Sequence, residues 1–331
     1  MNDGARSRVA GVVVVAGLVA AAGVVAAVTA IDRPATVGVP AARIGGAGGP
    51  MLGGCPVFPA DNAWNQRIDA APRHPDSAAI VARIQATGGD NLHPDFGENP
   101  EYGIPYVVVP ADTPERPITY TAYGDESDPG PFPIPLDAPV EGGPDADGDR
   151  HVIAVRQGTC ELFELYRAFP AGAGWAADSG ARWDLRSNAL RPAGWTSADA
   201  AGLPILPGLV RYEEVAAGEI RHAIRITFAR TRRAYVHPAT HYASNDTSPD
   251  LPPMGLRLRL RAGYDVTQLT GQARVIATAM QRYGVIVADN GSNWFFQGAP
   301  SAGWDDADLN QLKRVSGNEF EVVVTGEPVV G

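Results

Sequence analysis

Asp289 is the acid in this chain best placed by its neighbours to do chemistry. It follows the apolar run Val285-Ile-Val-Ala288 and leads into Asn290-Gly-Ser-Asn293-Trp294-Phe-Phe296. A buried strand ending this way delivers a carboxylate and two amides at a rigid edge beside aromatic rings. That composition suits a sugar, whose apolar faces meet rings and whose hydroxyls meet amides and carboxylates. Glycoside hydrolysis needs one protonated carboxyl and one carboxylate around the scissile bond. Asp289, Glu219 and Glu213 are the candidates, with Asn290, Asn293 and Trp294 as sugar contacts. An Asp-Asn-Gly turn in front of core aromatics is the competing reading.

The segment Tyr235-Val-His237-Pro-Ala-Thr-His241-Tyr242 is the second cluster. Two His four apart would share a helix face, but Pro238 opposes a helix and the Glu of a zinc-protease motif is missing. On an extended segment both imidazoles would lie on the side of Tyr235. His237, His241 and Tyr242 are therefore candidate proton-transfer groups and Tyr235 a candidate contact, against ordinary packing. His222, set among isoleucines, reads as a core histidine.

Charge is unevenly distributed. Between Val215 and Arg261 there are eight Arg and no Lys against three acids, a local +5 in a chain whose net charge is −10. Alternation sets Arg221 and Arg225 opposite Ile220, Ile224 and Ile226, and sets Arg257, Arg259 and Arg261 between leucines. In one sheet they would form an arginine stripe suited to planar pairing with carboxylate or sulfate. Arg225, Arg257 and Arg259 are thus candidate contacts for an acidic polysaccharide, unless they pair with the chain's own surplus acids. A uronate lyase would use Arg225 to neutralise the carboxylate and a His or Tyr of the 235–242 segment to remove the proton. The acidic total and the lack of an aromatic-basic motif argue against nucleic acid.

Asp145, Asp147 and Asp149 alternate like the first half of a calcium loop, but Arg150 and Arg156 stand where such a loop has Gly and Glu. Asp125, Glu126 and Asp128 are further acids for a non-standard site. Calcium is the one ion suggested, and otherwise no cofactor is expected. There is no phosphate-cradling glycine loop, dinucleotide fingerprint or serine-hydrolase elbow.

These groups need a scaffold. Eight short runs rich in β-branched or aromatic residues (104–109, 118–123, 151–156, 162–169, 220–228, 256–260, 285–288 and 320–324) are bounded by Gly, Pro or Asp. Helices are expected over 77–87, 197–201, 272–283 and 305–315, with Gly284 stopping the third before a strand. The fold class is a β-rich α+β single domain, on a sandwich- or barrel-like antiparallel sheet with a β-α-β-like unit near its end. The Pro-rich stretch 125–144 lacks apolar periodicity and reads as a surface excursion shaping a cleft.

Residues 9–30 carry no charge, follow Arg6 and Arg8 and end in Val-Thr-Ala. This is the pattern of an export signal, either cleaved or retained as an anchor. Residues 31–54 read as a flexible linker and 55–331 as the domain. The protein is expected to be secreted or extracytoplasmic, touching a membrane only through its start. Cys55 and Cys160 are the only cysteines, and an exported chain favours a disulfide between them, contributing at most about 4–5 kcal/mol.

The phrases Phe58-Pro-Ala-Asp-Asn-Ala-Trp-Asn65, Leu92-His-Pro-Asp-Phe-Gly97, Ala189-Leu-Arg-Pro-Ala-Gly-Trp195, His237 to Tyr242 and Ala288-Asp-Asn-Gly-Ser-Asn-Trp294 resemble those of a family of exported, actinobacterial-type proteins. The likeness spans nearly all of 55–324. It implies export and one domain, and no catalytic residue. The expected function is polysaccharide degradation, by hydrolysis or by elimination at a uronate, or else a noncatalytic carbohydrate-binding or cell-envelope role.

Overall fold

A computed structural model describes residues 49–331, so the expected export segment and most of the linker lie outside the described residues. The described part is a β-rich α+β domain with four short α-helices. A six-stranded sheet runs in the order Phe320–Val322, Arg257–Leu260, Val285–Asn290, Ile224–Phe228, Phe295–Gln297, His93–Asp95. A four-stranded sheet runs Ser179–Asp184, Glu161–Tyr166, Val152–Arg156, Val107–Val109.

Neither sheet is purely antiparallel as expected. Ile224–Phe228 and Val285–Asn290 are parallel, as are Val107–Val109 and Val152–Arg156. The chain between the first pair holds the Arg257–Leu260 strand and the Gly271–Arg282 helix, ample for a parallel return. That helix buries Ala273, Ile276, Ala277 and Met280 along one stripe. Gly284, at φ 72°, then turns the chain into the buried strand.

The Val152–Arg156 strand is buried on both faces. Ile153 and Val155 join the main core, while Val152 and Ala154 join a second core with Phe163, Leu165 and Trp175. Phe132 and Ile134 complete that second core, fully buried. The Pro-rich stretch is therefore a packed cover in part, because an extended segment can bury single side chains without a regular period. Residues 197–201 form turns rather than the expected helix, with Ser197 and Asp199 side chains bonding nearby backbone instead.

Cys55 and Cys160 are joined by a disulfide across a separation of 105 residues, which suits an oxidising compartment. The folded part begins before Cys55: Met51–Leu52 pairs with Cys55–Pro56 and Leu52 is buried, so the linker ends short of residue 54. Among the described residues no helix is long and apolar enough to cross a membrane.

Candidate functional site

The site forms on one face of the two parallel central strands, between Arg225, second in Ile224–Phe228, and Asp289, near the end of Val285–Asn290. Pairing runs Arg225 to Ile286 and Ile226 to Val287, then jumps from Thr227 to Asp289. The extra residue, Ala288, shifts the alternation by one. Asp289 is thereby brought to the sheet face of Arg225 and Thr227 instead of the opposite one.

The Arg225 side chain is 3% exposed and Asp199 0%. Arg225 donates from Nε to Asp199 Oδ2 at 3.1 Å and from Nη2 to Asp199 Oδ1 at 2.8 Å, a bidentate pair. The same Nη2 lies 3.8 Å from Asp289 Oδ2, and the Asp289 side chain is 26% exposed. Its Oδ1 accepts the Asn290 N–H at 2.7 Å. Burial, then the negative charge of Asp199, push the Asp289 carboxyl up to about 7, against the pull of Arg225.

A second buried pair stands across the seam. His151 and Tyr166 lie on one face of the four-stranded sheet with Ile153 and Glu164, their rings 5.6 Å apart. His151 Nδ1 meets Glu141 Oε2 at 2.6 Å and Nε2 meets the Ala198 carbonyl at 2.9 Å. Burial opposes charge on this ring, but Glu141 outweighs it and raises His151 to about 9. His151 in turn holds Glu141 below the usual carboxylate range despite its burial.

Glu164, 0% exposed, accepts the N–H groups of Ile205 and Leu206 at 2.9 to 3.0 Å. Burial lifts it to about 7 against those bonds. The 197–206 segment thus ties the sheets together. It also receives a bond at Ala198 and donates from Ala201 to the Ala288 carbonyl at 3.0 Å. Two cations, Arg225 and His151, face four acids, Glu141, Asp199, Glu164 and Asp289. Glu164 and Asp289 have no cation of their own, and of these two only Asp289 is open to solvent.

Of the sequence candidates, Asp289 and Arg225 meet here, and His241 joins at the edge. His241 is half-buried, with Nδ1 2.7 Å from the Ala200 carbonyl, and stacks on Tyr242 at 5.8 Å. His237 does not share its side, because the chain turns between Val236 and Ala239. It is exposed and lines a depression of about 140 Å³ with Asp61, Asn62, Trp64, Asn188 and Pro204. Tyr235 pairs with Val329 instead.

Glu219 bonds Arg221 at 2.8 Å and Arg282 at 3.1 Å, the latter ending the helix before the Val285 strand. It therefore sits at the opposite end of the parallel pair, roughly 15 Å of strand from Asp289. Glu213 accepts from Tyr106 at 3.0 Å and Arg211 at 3.2 Å. Neither is brought to Asp289 as a second carboxylate.

The arginine stripe is corrected as well. Arg257 donates to the carbonyls of Gln66 and Tyr283, each at 3.0 Å. Arg259 bonds Glu321 at 2.9 Å and the carbonyls of Ile68, Asp69 and Ala71. Arg261 meets Glu319 at 2.8 Å. These guanidiniums tie the chain to itself.

Asn293 and Trp294 are buried, not a sugar platform. Asn293 holds the end of the first helix through Ile84 O and Thr87 Oγ1, both at 2.9 Å, and accepts the Ala229 N–H at 2.8 Å. Trp294 packs on Phe228 and Phe320 and donates to Gln85 at 2.6 Å. Asn290 bridges Thr231 at 2.7 Å and the Ala243 carbonyl at 2.8 Å.

The acidic loop is filled by its own arginine. Arg150 donates to the Pro144 and Ala146 carbonyls at 2.9 and 2.6 Å, and to Ala168 O at 3.1 Å. Glu126 and Asp128 are taken by Thr196 and Arg191. Among the described residues no group of three His, Cys, Asp or Glu could hold a metal.

Sequence reasoning missed Asp199, His151, Glu141, Glu164 and Tyr166. The signal was present for two of them. His151-x-Ile153-x-Val155 and Leu162-x-Glu164-x-Tyr166 set a titratable group on an apolar strand face, where burial demands a partner. Compared with protein-family models, curated proteins and solved structures, the chain matches none.

Proposed function

We propose that this chain is a secreted polysaccharide-degrading enzyme, a glycoside hydrolase in which Asp289 exchanges a proton with the glycosidic oxygen or the attacking water. One observation carries the reading: Asp289 is partly open to solvent with only a 3.8 Å approach to Arg225, in surroundings where burial and Asp199 favour its protonated form. The candidate for the second carboxylate is Asp149, exposed on its loop; Asp149, Asp289 and Asp178 raise the Tyr166 phenol beyond the effect of burial, against Arg167. Tyr166 and His241 would meet the sugar at the rim. The disulfide and the apolar amino-terminal run support export. The lyase reading draws less support, because Asp199 occupies the Arg225 guanidinium that a uronate would need.

Incubating the purified domain with neutral and uronic polysaccharides tests this, following reducing ends and the absorbance of unsaturated uronates. Reducing ends alone are expected. Absorbance gain would select the lyase, and binding without either product a cell-envelope binding protein. Asp289→Asn is expected to lower hydrolysis by about 100-fold or more while leaving binding intact. Full residual activity would remove Asp289 from the chemistry.

A further inference from the structure

We infer that His151 is a positioning residue of the Asp289 site. Held as an imidazolium between Glu141 and the Ala198 carbonyl, it pins the loop that keeps Asp199 on Arg225, and so leaves Asp289 able to hold a proton. The inference rests on reading Asp289 as the proton-bearing group.

Both ring nitrogens of His151 face acceptors, a carboxylate oxygen at 2.6 Å and a carbonyl oxygen at 2.9 Å. A neutral imidazole has one N–H and one lone pair, so one of these contacts would set lone pair against lone pair. Beside an ionised Glu141, only the doubly protonated ring satisfies both. Its side chain is 4% exposed, so water cannot replace a lost partner.

The Ala198 carbonyl belongs to the peptide that leads into Asp199. The same loop is tied by Ser179 Oγ to Ser197 O at 2.7 Å, and by Ser197 Oγ to the Leu203 carbonyl at 2.6 Å. Asp199 therefore arrives at Arg225 on a loop held from both sheets, and takes both nitrogens of the guanidinium that face it. Asp289 keeps only the long 3.8 Å approach. If the loop is released, the carboxylate nearest to the freed guanidinium is Asp289. The charged groups bearing on the imidazolium are Glu141 from the Pro-rich cover, Asp149 from its own loop and Arg225 from the other sheet. It bears in turn on Glu164 beside it and on Asp289.

The coupling has a diagnostic sign. Removing a nearby positive charge would by itself raise the proton affinity of Asp289. Releasing Asp199 from Arg225 lowers it, because the guanidinium turns to Asp289. Carboxyl ¹³C NMR titration of Asp289 in folded His151→Gln and Glu141→Gln variants reads this directly. The midpoint is expected to fall by at least one pH unit in His151→Gln, a tenfold drop in proton affinity; in Glu141→Gln, where the lost negative charge acts in the same direction, it is expected to fall too. An unchanged or raised midpoint in either folded variant overturns the inference.

Imidazole ¹⁵N NMR on the unaltered protein provides a test that needs no variant. Both His151 nitrogens should stay protonated through pH 8, and a ring that loses its proton near pH 6.5 overturns the inference. These readouts do not depend on turnover. A protein that shows the coupling but degrades no polysaccharide would refute the proposed function alone.

Discussion

Two buried charge clusters border the central strands, and they resolve burial differently. Around Arg211, 0% exposed, both acids have a basic partner. Arg211 contacts Glu213 at 3.2 Å and Glu214 at 2.6 Å, while His222 meets Glu214 at 3.0 Å. Burial would raise Glu214, but Arg211 and His222 overcome it and hold the carboxyl below its usual value. Around Arg225, two cations meet four acids, and the two left without a cation, Glu164 and Asp289, are pushed toward neutrality. Acids that each have a basic partner form a closed network. An acid in excess, beside solvent, leaves a group that can exchange a proton.

The comparison breaks most visibly at Asp199. Asp199→Asn should cost about 3–5 kcal/mol in urea unfolding, because it leaves a buried guanidinium without its carboxylate. A cost below about 1 kcal/mol would mean that Asp289 simply takes the place of Asp199, and that the two acids are interchangeable.

Titration should come next in size. His151 is raised from 6.5 in the unfolded chain to about 9, so its stabilisation is complete below pH 6.5 and lost as pH rises to 9. The loss should be about 3 kcal/mol at most. The His151→Gln variant should show a flatter stability curve over that window, and an equally steep one would place the effect elsewhere.

Asp289→Asn should act on stability in the opposite direction. A carboxyl raised from 3.8 to about 7 costs the fold nothing below pH 3.8, and its cost grows as pH rises to 7. The variant should therefore match the parent at pH 4 and exceed it at pH 8, by about 4 kcal/mol at most. Destabilisation at pH 8 would show that the Asp289 carboxylate is as firmly paired as Glu214.

Much of the scaffold could be read from pattern, because alternation and punctuation are local. The Val285 strand, its Gly284 entry and the Gly271–Arg282 helix follow from apolar spacing and one glycine. The site was legible only in part. Asp289 stood out because it ends an apolar run, and Arg225 because it interrupts one. His151 and Glu164 were passed over as strand residues, and Asp199 sat in a segment read as a short helix. Trp294 misled in the other direction, since an aromatic beside polar groups reads the same in a binding platform as in a core.

The sequence by itself determined the β-rich class, the one possible disulfide and the residues that had to be buried with a partner, since composition and alternation act along the chain. The tertiary structure decided which partner each received. Asp199 and Arg225 are 26 residues apart, Glu141 and His151 lie on a cover and a strand, and Asp289 reaches the shared face only because Ala288 is extra in the pairing. A charge in a low-dielectric interior is governed by whatever stands within a few ångströms, and sequence distance carries no information about that.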